Sequence, residues 1–156
     1  MIFPKKFIKL NSSNSLNANE IRNSETFTSN DRKYRIYKAA ELVIEREYQD
    51  YFDRIGFEPF KFCILSKGNI NSTEEGIITT LKTQVKNSVN NLFTISCLIL
   101  LITALCLDVT FGTYSTVAVI IIYGVIYLLL IIALSNFTEE LSSDLNYYNQ
   151  GDNRKQ

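Results

Sequence analysis

Hydrophobic and polar positions are segregated along this chain rather than mixed. Between Lys86 and Glu139 the only charged residue is Asp108, whereas the remainder of the chain is rich in charged and small polar residues. Soluble domains intersperse apolar and polar residues at helical or strand period throughout their length. The long apolar block therefore predicts an integral membrane protein.

The apolar block divides into two segments, residues 89–111 and 114–137. Each is slightly longer than the roughly 20 residues that a helix needs to cross the hydrocarbon core. The sequence DVTFGTYST joins them and contains both a charge and a glycine, which favours a tight turn. Because backbone groups in lipid must be bonded within their own segment, we expect a transmembrane hairpin of two helices. The alternative is a buried helical hairpin in a soluble protein.

Residues 1–76 are predicted to form a small N-terminal cytoplasmic α+β module. Within it, residues 11–30 are almost all small and polar, which predicts a flexible loop. Residues 31–55 predict an amphipathic helix that ends before Gly56. The apolar positions that recur at helical spacing in this helix are Tyr37, Ala40, Ile44, Tyr48, Tyr51 and Ile55.

Residues 57–65 alternate apolar and other side chains and predict a strand. The segment KKFIKL at residues 5–10 has a similar character and is its expected partner, which gives a two-stranded sheet against the helix. In the alternative, both segments lie on the membrane surface. The lysines that would then face anionic lipid are Lys5, Lys6, Lys9 and Lys61.

Residues 77–137 are predicted to form a juxtamembrane helix followed by the two spans. No glycine or proline occurs from Ile77 to Phe111, so one unbroken helix is expected to connect the module with the first span. Such a helix would either transmit motion or serve only as a stalk. Residues 138–156 form the cytoplasmic tail, for which we expect a frayed helix followed by disorder.

Charge counts bear on topology and on partners. The 16 Lys and Arg residues balance 16 Asp and Glu residues, which gives no reason to expect nucleic acid as a partner. Fourteen of the 16 basic residues lie between Lys5 and Lys86, and none lies between the two spans. Because basic residues beside a span tend to stay in the cytoplasm, both termini of this multi-pass protein are predicted to be cytoplasmic.

Catalytic and metal-binding chemistry has little support in the sequence. The chain has no histidine and lacks nucleotide-binding, serine-hydrolase and CxxC motifs, so no enzyme activity, cofactor or metal is predicted. Its three cysteines suggest neither a disulfide framework nor a zinc site. The carboxylates expected to decorate a solvated helix face are Glu41, Glu45, Glu47, Asp50 and Asp53.

Two groups of residues are candidates for contacts. Small and hydroxyl side chains allow helices to pack closely in lipid, and those expected to do so are Ser96, Thr103, Thr110, Thr116, Tyr123, Gly124 and Tyr127. Tyrosines combine an apolar body with a polar tip, and those expected to contact a partner are Tyr34, Tyr37, Tyr48 and Tyr51. Packing inside the module is the alternative for the tyrosines.

The sequence therefore favours a non-enzymatic, double-spanning membrane protein. Its cytoplasmic module would bind a partner or signal, and its hairpin would anchor it in a homo-oligomer or a larger membrane complex. One alternative is a toxin-like effector that multimerises and permeabilises the bilayer when triggered. Another is an immunity-type protein that occupies the membrane target of a toxin.

Overall fold

The computed structural model describes residues 2–10, 16–17, 24–38, 41–48, 60–68, 77–78, 80–111 and 114–152. Within these ranges the strands are β1 (Lys6–Lys9), β2 (Leu16–Asn17), β3 (Ser24–Ser29), β4 (Arg32–Lys38), β5 (Leu42–Glu47), β6 (Ile64–Gly68), β7 (Ile77–Ile78) and β8 (Thr80–Val85). The two long helices are α1 (Asn87–Phe111) and α2 (Tyr114–Asp152), and a short 3-10 helix covers Lys61–Cys63.

The strands form a six-stranded sheet in the order β1-β8-β6-β5-β4-β3, and every pair in it is antiparallel. A second, two-stranded sheet pairs β2 with β7. β3 and β4 are joined by a two-residue turn, Asn30 and Asp31, in which φ is 48° and 60°. Asn and Asp tolerate this left-handed conformation, which matches the twist of a hairpin.

The six-stranded sheet curves around the C-terminal half of α2. Both edge strands, β1 and β3, contact this helix. Six flat strands would be about 24 Å wide, and a helix with its side chains is only about 10 Å wide, so the sheet must bend for both edges to reach it. The residues of α2 buried in the resulting core are Ala133, Leu134, Phe137, Leu141 and Leu145.

Most of α1 and the N-terminal half of α2 extend beyond the sheet, and many of their large apolar side chains are exposed. The exposed large apolar residues of α1 include Leu92, Ile95, Leu98, Ile99, Ile102 and Leu105, and those of α2 include Val117, Ile120, Ile121, Ile122, Val125, Leu128 and Ile132. Only 11% and 17% of the most apolar windows of the two helices are buried. The predicted pair of helices that are long and apolar enough to cross a membrane is confirmed.

The amphipathic helix predicted for residues 31–55 is wrong where the structure describes it. β4 and β5 occupy this region instead, and residues 49–59 lie outside the described ranges. In β4 the buried Tyr34 and Ile36 alternate with the exposed or half-buried Arg35 and Tyr37, which is strand period. The apolar residues of this region fit both helical spacing and strand alternation. Pairing with neighbouring strands stabilises the extended conformation.

The flexible loop predicted for residues 11–30 is wrong at β3. This polar strand is held by its antiparallel pairing with β4 and by the buried ring of Phe27, which stacks on Tyr34 at a centroid distance of 4.9 Å. β2 also lies in this segment. Composition alone did not show that a polar strand would find a partner across a tight turn.

The strand predicted for residues 57–65 begins late, and its predicted partner is wrong. Residues 61–63 form the 3-10 helix, and β6 starts only at Ile64. KKFIKL does contain a strand, β1, but β1 pairs with β8, which lies between it and β6. The expected sheet of two strands is therefore part of a sheet of six.

The juxtamembrane helix predicted from residue 77 is also wrong. Residues 80–85 form β8, in which Leu81, Thr83 and Val85 are fully buried, and α1 begins only at Asn87. The continuous helix that connects the sheet with an apolar segment is α2. Consequently, residues 138–145 are not a frayed tail, because Leu141 and Leu145 belong to the core.

Candidate coupling site between helix and sheet

The carboxylate of Asp144 lies at the centre of a polar cluster between α2 and the β3–β4 hairpin. Its side chain is fully buried. Its Oδ1 accepts hydrogen bonds from Asn30 Nδ2 at 2.7 Å and Ser29 Oγ at 3.3 Å. Its Oδ2 accepts from Tyr34 Oη at 2.8 Å and Arg32 Nη1 at 3.4 Å. Four donors therefore compensate for the removal of this carboxylate from water.

Glu140 lies one helical turn before Asp144 and faces three cations of the sheet and the 3-10 helix. Its carboxylate accepts from Lys61 Nζ at 2.6 Å and from Arg46 Nη1 at 3.2 Å, and Arg32 Nε lies 3.9 Å away. The two carboxylates of α2 thus meet cations from β4, β5 and the 3-10 helix. These contacts fix both the rotation of α2 and its position along the sheet.

The surroundings of this cluster shift the pKa values of two of its members. Burial, together with the hydrogen bond to Asp144, raises the pKa of Tyr34 far above its ordinary value. Burial alone would lower the pKa of Arg32, but the nearby carboxylates of Glu140 and Asp144 hold it above its ordinary value. At neutral pH, Tyr34 is therefore a neutral donor and Arg32 a fixed cation.

A second contact region joins the start of the chain to both helices. The ring of Phe3 packs edge-on against Phe93 of α1 and stacks on Tyr127 of α2, with both centroid distances at 5.2 Å. The backbone N–H of Ile2 donates to Asn90 Oδ1 at 3.1 Å. The segment before β1 therefore contacts both helices near the point where they leave the sheet.

Two of the predicted helix-packing residues lie at this contact region. Tyr127 contacts Phe3, and Tyr123 packs edge-on against Phe93 at a centroid distance of 5.2 Å. In contrast, the hydroxyls of Ser96 and Thr103 donate to carbonyls of their own helix, at 3.1 Å and 2.9 Å. These two contacts do not link the helices.

The remaining predicted packing residues are Gly124, Thr116 and Thr110. Gly124 is exposed, and apart from its chain neighbours and the backbone of its own helix no atom lies within 4 Å of the position that a Cβ would take. Thr116 is half-buried, and the side chain of Thr110 lies outside the described residues. Packing between copies of the chain through these residues stays a prediction.

The tyrosines predicted to contact a partner differ in exposure where the structure describes them. Tyr34 is fully buried, so its predicted contact with a partner is wrong. Tyr37 is half-buried on the opposite face of β4, and Tyr48 is half-buried with the Arg46 guanidinium 5.8 Å from its ring centroid. Tyr51 lies outside the described residues.

Charges also cover the outer face of the sheet, which is the face turned away from α2. The ion pairs there are Lys67–Glu41 at 2.7 Å, Lys86–Glu45 at 2.8 Å, Arg35–Glu47 at 2.6 Å and Lys33–Glu47 at 3.3 Å. Asp50 and Asp53 fall outside the described ranges. Among the described residues, no group of three or more Cys, Asp and Glu side chains is arranged to hold a metal ion.

The sequence pattern does not predict the contacts of Glu140 and Asp144 with the sheet. Glu140 and Asp144 fall in the tail that the sequence predicts to fray, although a helical stripe of apolar residues continues past them. Leu134, Phe137, Leu141 and Leu145 recur at intervals of three and four residues, which is the pattern of a helix with one buried face. This stripe was the available signal that α2 continues into a core.

No protein-family model, curated protein or solved structure matches this chain. Inference about its function therefore depends on its own geometry and chemistry.

Proposed function

We propose that this chain is an integral membrane protein whose sheet is a binding module at the cytoplasmic membrane surface, coupled through α2 to a transmembrane hairpin. The observation that carries the proposal is the continuity of α2 from Tyr114 to Asp152. One end of this helix is an exposed apolar segment, and the other is the core of the sheet. A change in the sheet would therefore be transmitted to the span without an intervening hinge.

Exposure and length support a location in lipid. A core helix of a soluble protein is mostly buried, whereas the apolar windows of α1 and α2 are 11% and 17% buried. The exposed apolar stretch of α2, residues 114–132, is about 27 Å long at the helical rise per residue. This length is close to the roughly 30 Å of a hydrocarbon core.

Charge supports a cytoplasmic position for the sheet. No Lys or Arg occurs between Lys86 and Arg154, so the connection at the far end of the hairpin is free of positive charge. β8, which precedes α1, belongs to the sheet, and the C-terminal half of α2 packs in its core. By the positive-inside rule, the sheet and both chain ends are on the cytoplasmic side.

A binding role accounts for the polar residues better than catalysis does. The carboxylates of Glu140 and Asp144 are engaged with structural cations and donors, as are those of Glu41 and Glu47 on the outer face. The module would then act by contact with a partner or signal, and the hairpin would anchor it in an oligomer or a larger membrane complex.

Expression of the full chain followed by alkaline carbonate extraction and protease accessibility tests this proposal. We expect the chain to stay in the membrane pellet, with tags at both ends protected on the cytoplasmic side. Recovery in the supernatant, or tags in opposite compartments, would contradict the proposed topology.

Purification in mild detergent then separates anchoring from permeabilisation. Stable association with a membrane protein or with further copies of the chain, without ion leak from the host or from vesicles, supports the proposed role. Leak on expression, or leak from vesicles that contain the purified chain, would instead identify a permeabilising effector. Protection of cells against a membrane-directed toxin, without any other partner, would identify an immunity-type protein.

A further inference from the structure

Three lysines lie together at the β1–β8 edge of the sheet. Lys5 directly precedes β1, Lys9 ends it, and Lys82 of β8 is paired in register with Phe7 of β1. We call Lys5, Lys9 and Lys82 the lysine patch. Among the described residues, none of the three forms an ion pair with an acidic side chain.

Neighbouring lysines differ from the patch in this respect. Lys67 is paired with Glu41 at 2.7 Å, and Lys86 with Glu45 at 2.8 Å. In the patch, the close approach of Lys5, with some desolvation, lowers the pKa of Lys82 below its ordinary value, because these effects outweigh the attraction of Glu41. A bound anion between Lys5 and Lys82 would relieve this repulsion between like charges.

The patch lies at the boundary of the exposed apolar part of the helices. Lys6, next to Lys5, donates from Nζ to Ser135 Oγ of α2 at 2.7 Å. Ser135 is three residues beyond Ile132, which is about 5 Å along the helix axis. Among the α2 side chains that the structure describes, Ile132 is the last large apolar one that is exposed. β1 therefore begins where the hydrocarbon core would end and the lipid headgroups would begin.

An exposed aromatic ring lies within the patch. Phe7, between Lys5 and Lys9 in β1, is 66% exposed and projects from the same face as Lys82. Lysines beside an exposed apolar side chain are a common feature of surfaces that lie against anionic lipid headgroups. The side chains of Lys6 and Lys61 do not contribute, because they are directed to Ser135 and Glu140 of α2.

We propose that the lysine patch binds the phosphate-bearing headgroup of an anionic phospholipid in the leaflet that faces the sheet. Lys5 and Lys82 contact the phosphate, and Lys9 adds a longer-range attraction above it. This inference rests on the proposed function, because the hairpin must be in a bilayer for the patch to meet lipid. An anionic headgroup bound here would hold the β1–β8 edge of the sheet against the membrane.

Lipid retention by the full chain tests the proposal. The chain, extracted from membranes in mild detergent, is mixed with equal amounts of phosphatidylglycerol and phosphatidylcholine, and the lipid that copurifies with it is measured by mass spectrometry. We expect about fivefold more phosphatidylglycerol than phosphatidylcholine, because each lysine at the surface adds attraction for anionic lipid. The excess should decrease as the salt concentration increases.

Matched double variants locate the effect. Lys5→Gln/Lys82→Gln should bring the ratio of the two lipids close to one, and Lys5→Arg/Lys82→Arg should preserve the excess. Lys33→Gln/Arg35→Gln removes the same charge from another part of the outer face, where both cations are paired with Glu47, and should leave the ratio unchanged. Far-UV circular dichroism checks that each variant is folded.

Several results would overturn the inference. Two of these are equal retention of the two lipids by the unmodified chain and an excess of phosphatidylglycerol that does not depend on salt. The others are an equal decrease of this excess in Lys5→Gln/Lys82→Gln and Lys33→Gln/Arg35→Gln, and complete displacement of the lipid by millimolar inorganic phosphate. If Lys5→Gln/Lys82→Gln does not fold, the inference is tested by whether the excess of phosphatidylglycerol on the unmodified chain decreases with salt. Failure of the proposed function is seen separately, because the chain would then be soluble before any detergent is added.

Discussion

At the scale of single residues, Asp144 connects the helix and the sheet. A carboxylate removed from water is tolerated only when donors replace its hydration, and here Asn30, Ser29, Tyr34 and Arg32 supply them. Three of the four donors lie within or beside a turn whose left-handed backbone brings the Asn30 amide towards α2. The hairpin and the helix therefore constrain each other.

Replacement of Asp144 by Asn should destabilise the sheet. Asp144→Asn keeps the size of the side chain but loses the charge, and it leaves Tyr34 and Arg32 with poorer acceptors in a buried site. We expect the free energy of unfolding to decrease by roughly 2 to 4 kcal/mol, measured by denaturant titration in detergent and followed by circular dichroism.

The control for this prediction is Glu41→Gln, which removes a carboxylate whose side chain is 45% exposed in its pair with Lys67. Exposed ion pairs contribute little, so we expect a change of less than about 0.5 kcal/mol. Equal effects of Asp144→Asn and Glu41→Gln would show that the buried cluster does not stabilise the fold.

The raised pKa of Tyr34 predicts a dependence of stability on alkaline pH. In the unfolded chain Tyr34 loses its proton near pH 10, whereas in the folded chain burial and Asp144 keep it protonated. The unfolded state then binds fewer protons, so the free energy of unfolding should decrease as pH rises above about 10.

Denaturant titrations at a series of alkaline pH values, on the unmodified chain and on Tyr34→Phe, measure this effect. Tyr34→Phe should be less stable at neutral pH, because Asp144 loses a donor, and its stability should decrease less steeply in alkali. The other tyrosines serve as an internal reference through tyrosinate absorbance. Identical pH slopes for the two proteins would contradict the assignment.

At the scale of elements, the long apolar helices were predictable and the short strands were not. α1 and α2 were recognised because their apolar runs exceed any ordinary strand. β4, β5 and β8 were mistaken for helices because their few apolar residues fit two periods equally well. Pairing with neighbouring strands, rather than the local sequence, stabilises the extended conformation of these segments.

A proline in α2 between the apolar segment and the sheet tests the continuity of this helix. Asn136 is exposed, so Asn136→Pro changes no buried side chain. It removes one backbone hydrogen bond and clashes with the preceding turn, which costs about 3 kcal/mol. We expect faster amide hydrogen exchange in β4 and β5, together with lower thermal stability.

Asn136→Ala is the control, because alanine keeps the helix and should leave hydrogen exchange and thermal stability unchanged or slightly improved. If the proline variant were as stable as the alanine variant, α2 would not need to be continuous for the sheet to fold.

At the scale of the whole molecule, a sheet wrapped around one half of α2 leaves the other half in contact mainly with α1 and the start of the chain, with most of its large apolar side chains exposed. Residues 133–145 of α2 pack in the core of the sheet. The exposed apolar part therefore ends at Ile132, whereas the sequence predicts a span that ends at residue 137. The start of β1 and the start of α1 both lie at this boundary. The sheet therefore rests directly against the proposed membrane surface.

A charge in the middle of the exposed apolar stretch should impair membrane insertion. Ile121 is 60% exposed and lies near the centre of residues 114–132. Ile121→Lys would cost about 3 kcal/mol at the centre of a bilayer, so we expect a larger fraction of the chain in the supernatant after carbonate extraction.

The matched control is Asn136→Lys, which adds the same charge to an exposed position of α2 beyond Ile132 and should not change the extracted fraction. The same partitioning of both lysine variants and the unmodified chain would indicate that α2 does not cross a bilayer.

The sequence by itself determined the two long apolar helices and the division between apolar and charged parts, because a run of more than 20 apolar residues has few ways to satisfy its backbone. Only the tertiary structure decided that residues 32–38, 42–47 and 80–85 are strands, that β8 separates β1 from β6, and that α2 continues into the core. Strand pairing and the burial of Asp144 depend on residues far apart in the chain. No local pattern contains that information.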